Sequence, residues 1–457
     1  MIASARRAAY EALGAVVSGR ADLDGAIERA RRLVTDSRDI ALLHQLVTGT
    51  VRWQGAIDGV LAPLCRVPLA RLDLEVLTSL RLGAYQLLYL DRVPASAVVD
   101  DAVALVRAAK KTSAAGLVNA VLRKIGRGQR GPAVPETDAA ETLARVTSHP
   151  AWLVRRWLAR RTRADVDAWL TFNNTPAPVT LRVNPLVNPD RAAVAAALAS
   201  SGVVTEPCRY APLGLLVREG NPLATLPYAS GACLVQDEGS QLAALVSPVE
   251  PGMRVLDLCG SPGGKSLAYA GAAGAGGFVV AADVRAKRVR LLADTVARGH
   301  ATRARVVHVA EDGPLPFRAG FDVVAVDAPC SGLGTLRRDP DIKWRRSPED
   351  LARFAARQVD LLRRASVAVR PGGCLVYTTC SSEPDENTEV VAAFLAAAGP
   401  AFALTPADAG PNGALLTAFT GADGLLVTDP ARHGLECYFG AVFTRLAVGP
   451  SPGAVVQ

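Results

Sequence analysis

No two of the eight cysteines in this 457-residue chain stand as a Cys-x-x-Cys pair. Their positions, 65, 208, 233, 259, 330, 374, 380 and 437, are too dispersed for a zinc site or a secreted disulfide framework. No metal is expected, and free thiols in a reducing compartment fit better. Long apolar runs are missing too: the longest uncharged candidate, 266–282, is mostly Gly and Ala between Lys265 and Asp283. That argues against a signal peptide or membrane span and for the cytoplasm. Lysine is scarce, with only six among 51 cationic residues. Cationic charge is also uneven: residues 1–130 hold 19 Lys and Arg against 12 Asp and Glu, leaving 32 against 31 for the rest. A basic N-terminal third suits a polyanionic partner such as RNA, although a solvated Arg-rich surface would read the same way.

Half of the residues are hydrophobic, and the length calls for two or three domains. Helical apolar spacing fills residues 1–130, in "ARRAAYEALGAVV", "RDIALLHQLVTGTVRW", "LDLEVLTSLRLGAYQLLYL" and "AAGLVNAVLRKI". An all-α domain is expected there, then a Gly/Pro-rich linker over 131–144. Residues 145–228 read as a small α+β domain, with "PAWLVRRWLARR" helical, "PVTLRVN" a strand and a further helix near 190–201. From 229 to 448 the strand-like runs "RVLDL", "FVVAAD", "ARVVHVA", "FDVVAVD" and "GCLVYTT" alternate with helical stretches. This pattern predicts an α/β, Rossmann-like parallel sheet covered on both faces, followed by a tail over 449–457.

Ligands of such sheets bind outside the carboxyl ends of the strands, where the distinctive residues of this chain collect. The first strand runs into "DLCGSPGGKS", whose Gly260, Gly263 and Gly264 permit a tight turn before a helix N-terminus. Neither G-x-x-x-x-G-K-[ST] nor G-x-G-x-x-G is present, so neither a P-loop nor a nicotinamide oxidoreductase is indicated. The second strand ends in Asp283, which could accept from both hydroxyls of a ribose, and Asp312 follows the third, where an adenine amino group could be read. Asp327 ends the fourth strand within "DAPCSG", where Pro329 aims Cys330 at the crevice, and Cys380 follows the next strand in "YTTCSS". Separate burial of the two cysteines is the plain alternative. Cys259 and Cys374 read as small packed residues. Arg337, Arg338 and Lys343 could lower a thiol pKa or clamp phosphates.

Together "LCGSPGGK", "DAPCSGLGTLRRDPDIKW" and "TTCSSEPDENTEVV" resemble the RNA 5-methylcytosine methyltransferases. "QDEGSQLAA", "TLRVN", "SLRLGAYQLLYLDRVPASAVVDDAV" and "GLVNAVLRK" extend the resemblance to the Sun/RsmB branch, in which a NusB-like RNA-binding domain is fused to the methyltransferase. Two departures are small: the family loop more often reads Cys-Ala-Ala-Pro, and "HGLECYFGAVF" stands where Asp-Gly-Phe-Phe is usual. The resemblance implies S-adenosylmethionine as cofactor, with Cys259, Gly260, Ser261, Pro262, Gly263, Gly264 and Lys265 on its methionine and ribose side. It further implies Asp283 at the ribose hydroxyls with Arg288 in the same site, Asp312 at the adenine, and Asp327 at both cofactor and base. Cys380 matches the nucleophile and Cys330 the residue tied to product release, as base or relay. The implied substrate is 16S ribosomal RNA and the default state a monomer. Transfer RNA as substrate, or a non-catalytic RNA-binding or antitermination factor, are the alternatives.

Overall fold

The computed structural model describes residues 2–129 and 139–447. It divides into two compact units, Met1–Pro176 with Leu336–Arg346, and Ala177–Thr335 with Ser347–Gln457. The tail expected over 449–457 lies outside the described residues, as does the linker up to residue 138. From Ala139 the expected linker is already helix, Ala139–Val146. The helix expected at the start of the small domain, Ala151–Leu158, belongs to the first unit, as does a further helix not expected from the sequence, Arg163–Asn174.

Amphipathic spacing builds that first unit. Helix Ser4–Val17 buries Ala5, Ala8, Ala9, Ala12, Leu13 and Val16, the three-and-four spacing of one helical face. Helix Leu74–Tyr89 is buried nearly all round from Val76 to Gln86, as a central helix must be. Segment Leu336–Arg346 joins this unit although it follows the "DAPCSG" loop in the chain. Lys343 is 1% exposed, and its ammonium donates to Arg52 O (3.4 Å), Ser148 O (3.2 Å) and Asn174 Oδ1 (2.9 Å). Trp344 Nε1 donates to Val51 O at 2.8 Å, so both side chains fill carbonyls left open at the end of helix Ser37–Arg52. Burial and the Arg52 charge hold the Lys343 pKa well below the ordinary lysine value. Arg337 donates to Pro176 O at 2.8 Å and lies 4.5 Å over the Phe172 ring. Lys343 and Arg337 are therefore spent inside the first unit, which corrects the expectation that Lys343 is a phosphate clamp or a field source for a thiolate.

The second unit opens with a four-stranded antiparallel sheet in the order β2-β3-β1-β4, from β1 (Thr180–Val183), β2 (Val204–Pro207), β3 (Gly214–Glu219) and β4 (Cys233–Val235). Leu181, Val183 and Leu215 pack against Val194 and Leu198 of helix Arg191–Ala199. An eight-stranded sheet follows. Its parallel strands β5 (Arg254–Leu258), β6 (Phe278–Asp283), β7 (Ala304–His308), β8 (Phe321–Asp327) and β9 (Val369–Thr379) lie in the order β7-β6-β5-β8-β9. Beside β9 runs antiparallel β12 (Phe439–Arg445), flanked by β10 (Phe402–Thr405) and the short β11 (Leu426–Val427). Val255, Val279, Val323 and Val376 pack on one face, Leu256, Val280, Val324 and Leu375 on the other. Both faces are buried, which is why these strands read as continuous apolar runs. Strand order reverses between β5 and β8, opening a crevice at their carboxyl ends.

Candidate active site

Two cavities lie at these strand ends. The first, about 350 Å³, is walled by Leu258, Val284, Val309, Leu315, Pro329 and Phe354, with Asp283, Arg288, Glu311, Asp312, Arg357 and Arg364 supplying polar groups. The second, about 340 Å³, is lined by Gln236, Asp257, Gly260, Ser261, Pro262, Gly264, Lys265, Asp327 and Tyr438. Cys259 lines both.

The glycine loop between β5 and helix Gly264–Ala273 shapes this partition. Cys259 has φ +63 and Gly263 φ +110, and a Cβ on Gly263 would meet Thr295 Cγ2 at 2.9 Å. Glycine is required there by both backbone and space. Burial, with Asp283, Asp327 and Asp257 adding to it, pushes the Cys259 thiol up to about 12, and the half-buried side chain borders both cavities rather than packing in the core. Asp257 is fully buried and accepts from Ser266 Oγ at 2.5 Å; burial pushes its carboxyl up to about 7.

Asp283 is 3% exposed at the end of β6. Its Oδ1 accepts the Arg285 N–H at 3.1 Å, while Oδ2 has no hydrogen-bond partner and stands 3.7 Å from Arg288 Nε. Arg288 also donates to Ser261 O at 3.3 Å, linking this carboxylate to the glycine loop. Asp312 is exposed on the wall of the same cavity. An open acceptor at a strand end, an apolar slot and a helix N-terminus suit the ribose, adenine and methionine carboxylate of S-adenosylmethionine. Asp283→Ala is expected to weaken cofactor binding by about 1.5 to 3 kcal/mol, the range for a charge-assisted hydrogen bond. Calorimetry with unchanged affinity would remove Asp283 from the site.

Lys265 Nζ stands 2.5 Å from Asp327 Oδ2, and Thr378 Oγ1 donates to Asp327 Oδ1 at 2.9 Å. Lys265 thus lines the second cavity as the partner of Asp327, a pairing that the motif spacing alone did not reveal. Parallel β8 and β9 lie in register with Asp327 opposite Thr378, so the loops leaving them start side by side. Gly334 N donates to Cys380 O and Cys437 N to Gly334 O, each at 2.9 Å, and a Cβ on Gly334 would meet Cys380 O at 2.8 Å and Cys437 O at 2.2 Å. The result is a distance of 3.3 Å between Cys330 Sγ and Cys380 Sγ. The hydrogen bond to Cys380, then burial, then the charges of Cys380 and Glu386 push the Cys330 thiol well up.

Sequence reasoning missed the apolar slot, because single residues after strand ends carry no motif. It also missed Glu386, fully buried beside both cysteine loops. In the departing C-terminal motif Tyr438 forms part of the second cavity's wall. Among the described residues no group of three or more His, Cys, Asp or Glu could hold a metal ion, and no helix is long and apolar enough to cross a membrane.

Three family patterns match the chain: NusB over 3–127, the ferredoxin-like domain of RsmF/B-like methyltransferases over 149–224, and 16S rRNA methyltransferase RsmB/F over 243–443. Ribosomal RNA small subunit methyltransferase B of Pseudomonas putida is 37% identical over 86% of this chain and 88% of its own. The protein of that name from Vibrio cholerae is 34% identical over 86% and 89%. The crystal structure of PH0851 superposes with a TM-score of 0.82 at 24% identity, covering 96% of this chain and 98% of that one, and so shares its fold. With strand order, cofactor crevice and relatives in agreement over most of its length, the chain belongs to the RsmB/F family of S-adenosylmethionine-dependent 16S rRNA methyltransferases.

Proposed function

We propose that this protein methylates carbon 5 of a cytidine in 16S ribosomal RNA through a covalent adduct between Cys380 and carbon 6. The observation that carries this reading is the pair of thiols 3.3 Å apart in the unit that also holds the Lys265–Asp327 ion pair. Carbon 5 of cytosine is a poor nucleophile, and a thiolate adding to carbon 6 turns the ring into an enamine. S-adenosylmethionine, when bound, supplies the electrophilic sulfonium methyl group.

Cys380 attacks as thiolate, and the electrons of the 5,6 double bond move toward N3 and the exocyclic oxygen. Lys265 donates to this polar edge and stabilises the negative charge that builds there, and Asp327, sharing a proton with that edge, hydrogen-bonds it and assists as an acid. Carbon 5 takes the methyl group. Its proton then leaves, the electron pair left behind restores the double bond, and the carbon–sulfur bond breaks to return Cys380 as thiolate. Cys330, next to that sulfur, relays the proton to solvent. Asp283 anchors the ribose, Arg288 holds the Gly loop against Asp283, and Asp312 reads the adenine. The protein acts as a monomer on an unstacked base, with its cationic N-terminal part holding the surrounding RNA.

Bisulfite sequencing of total RNA from a deletion strain and its parent tests the substrate. One cytidine of 16S rRNA is expected to lose its methyl mark in the deletion. A lost mark in transfer RNA instead would overturn the ribosomal assignment, and no lost mark would overturn the activity.

A further inference from the structure

One buried carboxylate, Glu386, connects the two cysteine-bearing loops. It ends the turn Pro384–Glu386 that follows Cys380 and is fully buried. Its Oε1 accepts from Ser331 N–H at 2.8 Å and from Gln358 Nε2 at 3.0 Å; its Oε2 accepts from Ser331 Oγ at 2.5 Å and Ser381 Oγ at 2.6 Å. Ser331 and Ser381 are the residues directly after Cys330 and Cys380.

Each cysteine is gripped on both sides. Gln358 Nε2 also donates to Pro329 O at 3.0 Å, so Cys330 lies between a held carbonyl and a held serine. On the other strand Asn387 accepts from Thr379 Oγ1 at 2.7 Å and donates to Ser381 O at 2.9 Å, bracketing Cys380 from the residue next to Glu386. Four donors from three separate segments converge on Glu386, and only an ionised carboxylate accepts all of them without presenting a donor of its own.

We propose that Glu386 is the positioning residue of the reaction: its carboxylate ties the loops after β8 and β9 into one unit and thereby sets the separation of the Cys330 and Cys380 sulfurs. It is fully buried and lines neither of the two cavities. Its negative charge also adds, behind the Cys380 hydrogen bond and burial, to what pushes the Cys330 thiol up. This role rests on the covalent reading above, but its effect on the sulfurs can be measured without RNA.

The test uses the full-length protein and two readouts. Brief oxidation with the azo reagent diamide, followed by alkylation and peptide mass mapping, reports how often the two sulfurs meet. The wild type is expected to give a Cys330–Cys380 disulfide rapidly. Glu386→Gln, where an amide nitrogen faces two donors, is expected to form it at least tenfold more slowly, with S-adenosylmethionine affinity unchanged. Its kcat for methylation is expected to fall at least tenfold with KM for RNA unchanged, a split that general loss of structure would not produce. Should Glu386→Gln fail to fold, Ser381→Ala removes one donor and keeps the carboxylate, and the same slowing is expected. A folded variant that crosslinks and turns over at the wild-type rate overturns the proposal. Slowed crosslinking beside a Cys380→Ala protein that still methylates would leave Glu386 as the clamp and sink the covalent mechanism alone.

Discussion

Cys330→Ala protein incubated with RNA and S-adenosylmethionine is expected to accumulate as a band shifted upward in denaturing electrophoresis by the mass of the RNA. Cys380→Ala is expected to give neither that band nor methylated product. The asymmetry follows from roles that differ although the sulfurs lie only 3.3 Å apart. Without Cys380 no bond to carbon 6 forms, and carbon 5 is never activated. Without Cys330 addition and methyl transfer go on, but the carbon 5 proton has lost its relay and elimination slows. A shifted band from Cys380→Ala and none from Cys330→Ala would reverse the assignment. Full activity in both variants would make the cysteines packing residues.

The second large effect is expected at the Lys265–Asp327 pair. Asp327→Asn and Lys265→Met are each expected to lower the single-turnover rate by about 10² to 10⁴, the range for a lost proton-transfer group or electrostatic stabiliser. Removing one partner also leaves the other, which stood 2.5 Å from it, without its counter-charge. The double variant is expected to lose much less than the product of the two single losses, since the residues act as a unit. Single-turnover rates near the wild-type value in either variant would take the pair out of the chemistry.

Much of this was legible in the sequence because it depends on local patterns. The five parallel strands are apolar runs, three of them ended by Asp283, Asp327 and Thr379, and the glycine loop follows the first. Antiparallel β12 was read only as a motif, since "YFGAVF" next to Glu436 and Cys437 has no helix after it to complete a strand-helix unit. Residues 336–346 show no periodicity, and their place in the first unit depends on Lys343 and Trp344 meeting carbonyls nearly 300 positions away in the chain. Glu386 was equally hidden: nothing in "SEPDEN" sets it apart from Glu383 and Asp385. Burial of that carboxylate is stabilised by Ser331 and Gln358, which lie 55 and 28 positions away, and no window along the chain contains them together.

The most direct test is the identity of the atom that carries the RNA. Covalent complex from Cys330→Ala protein can be digested with nuclease and protease and the modified peptide sequenced by mass spectrometry. The account predicts a methylated cytidine on the sulfur of Cys380, bonded through carbon 6. Attachment at any other residue, or an attached base without the added methyl group, would contradict it.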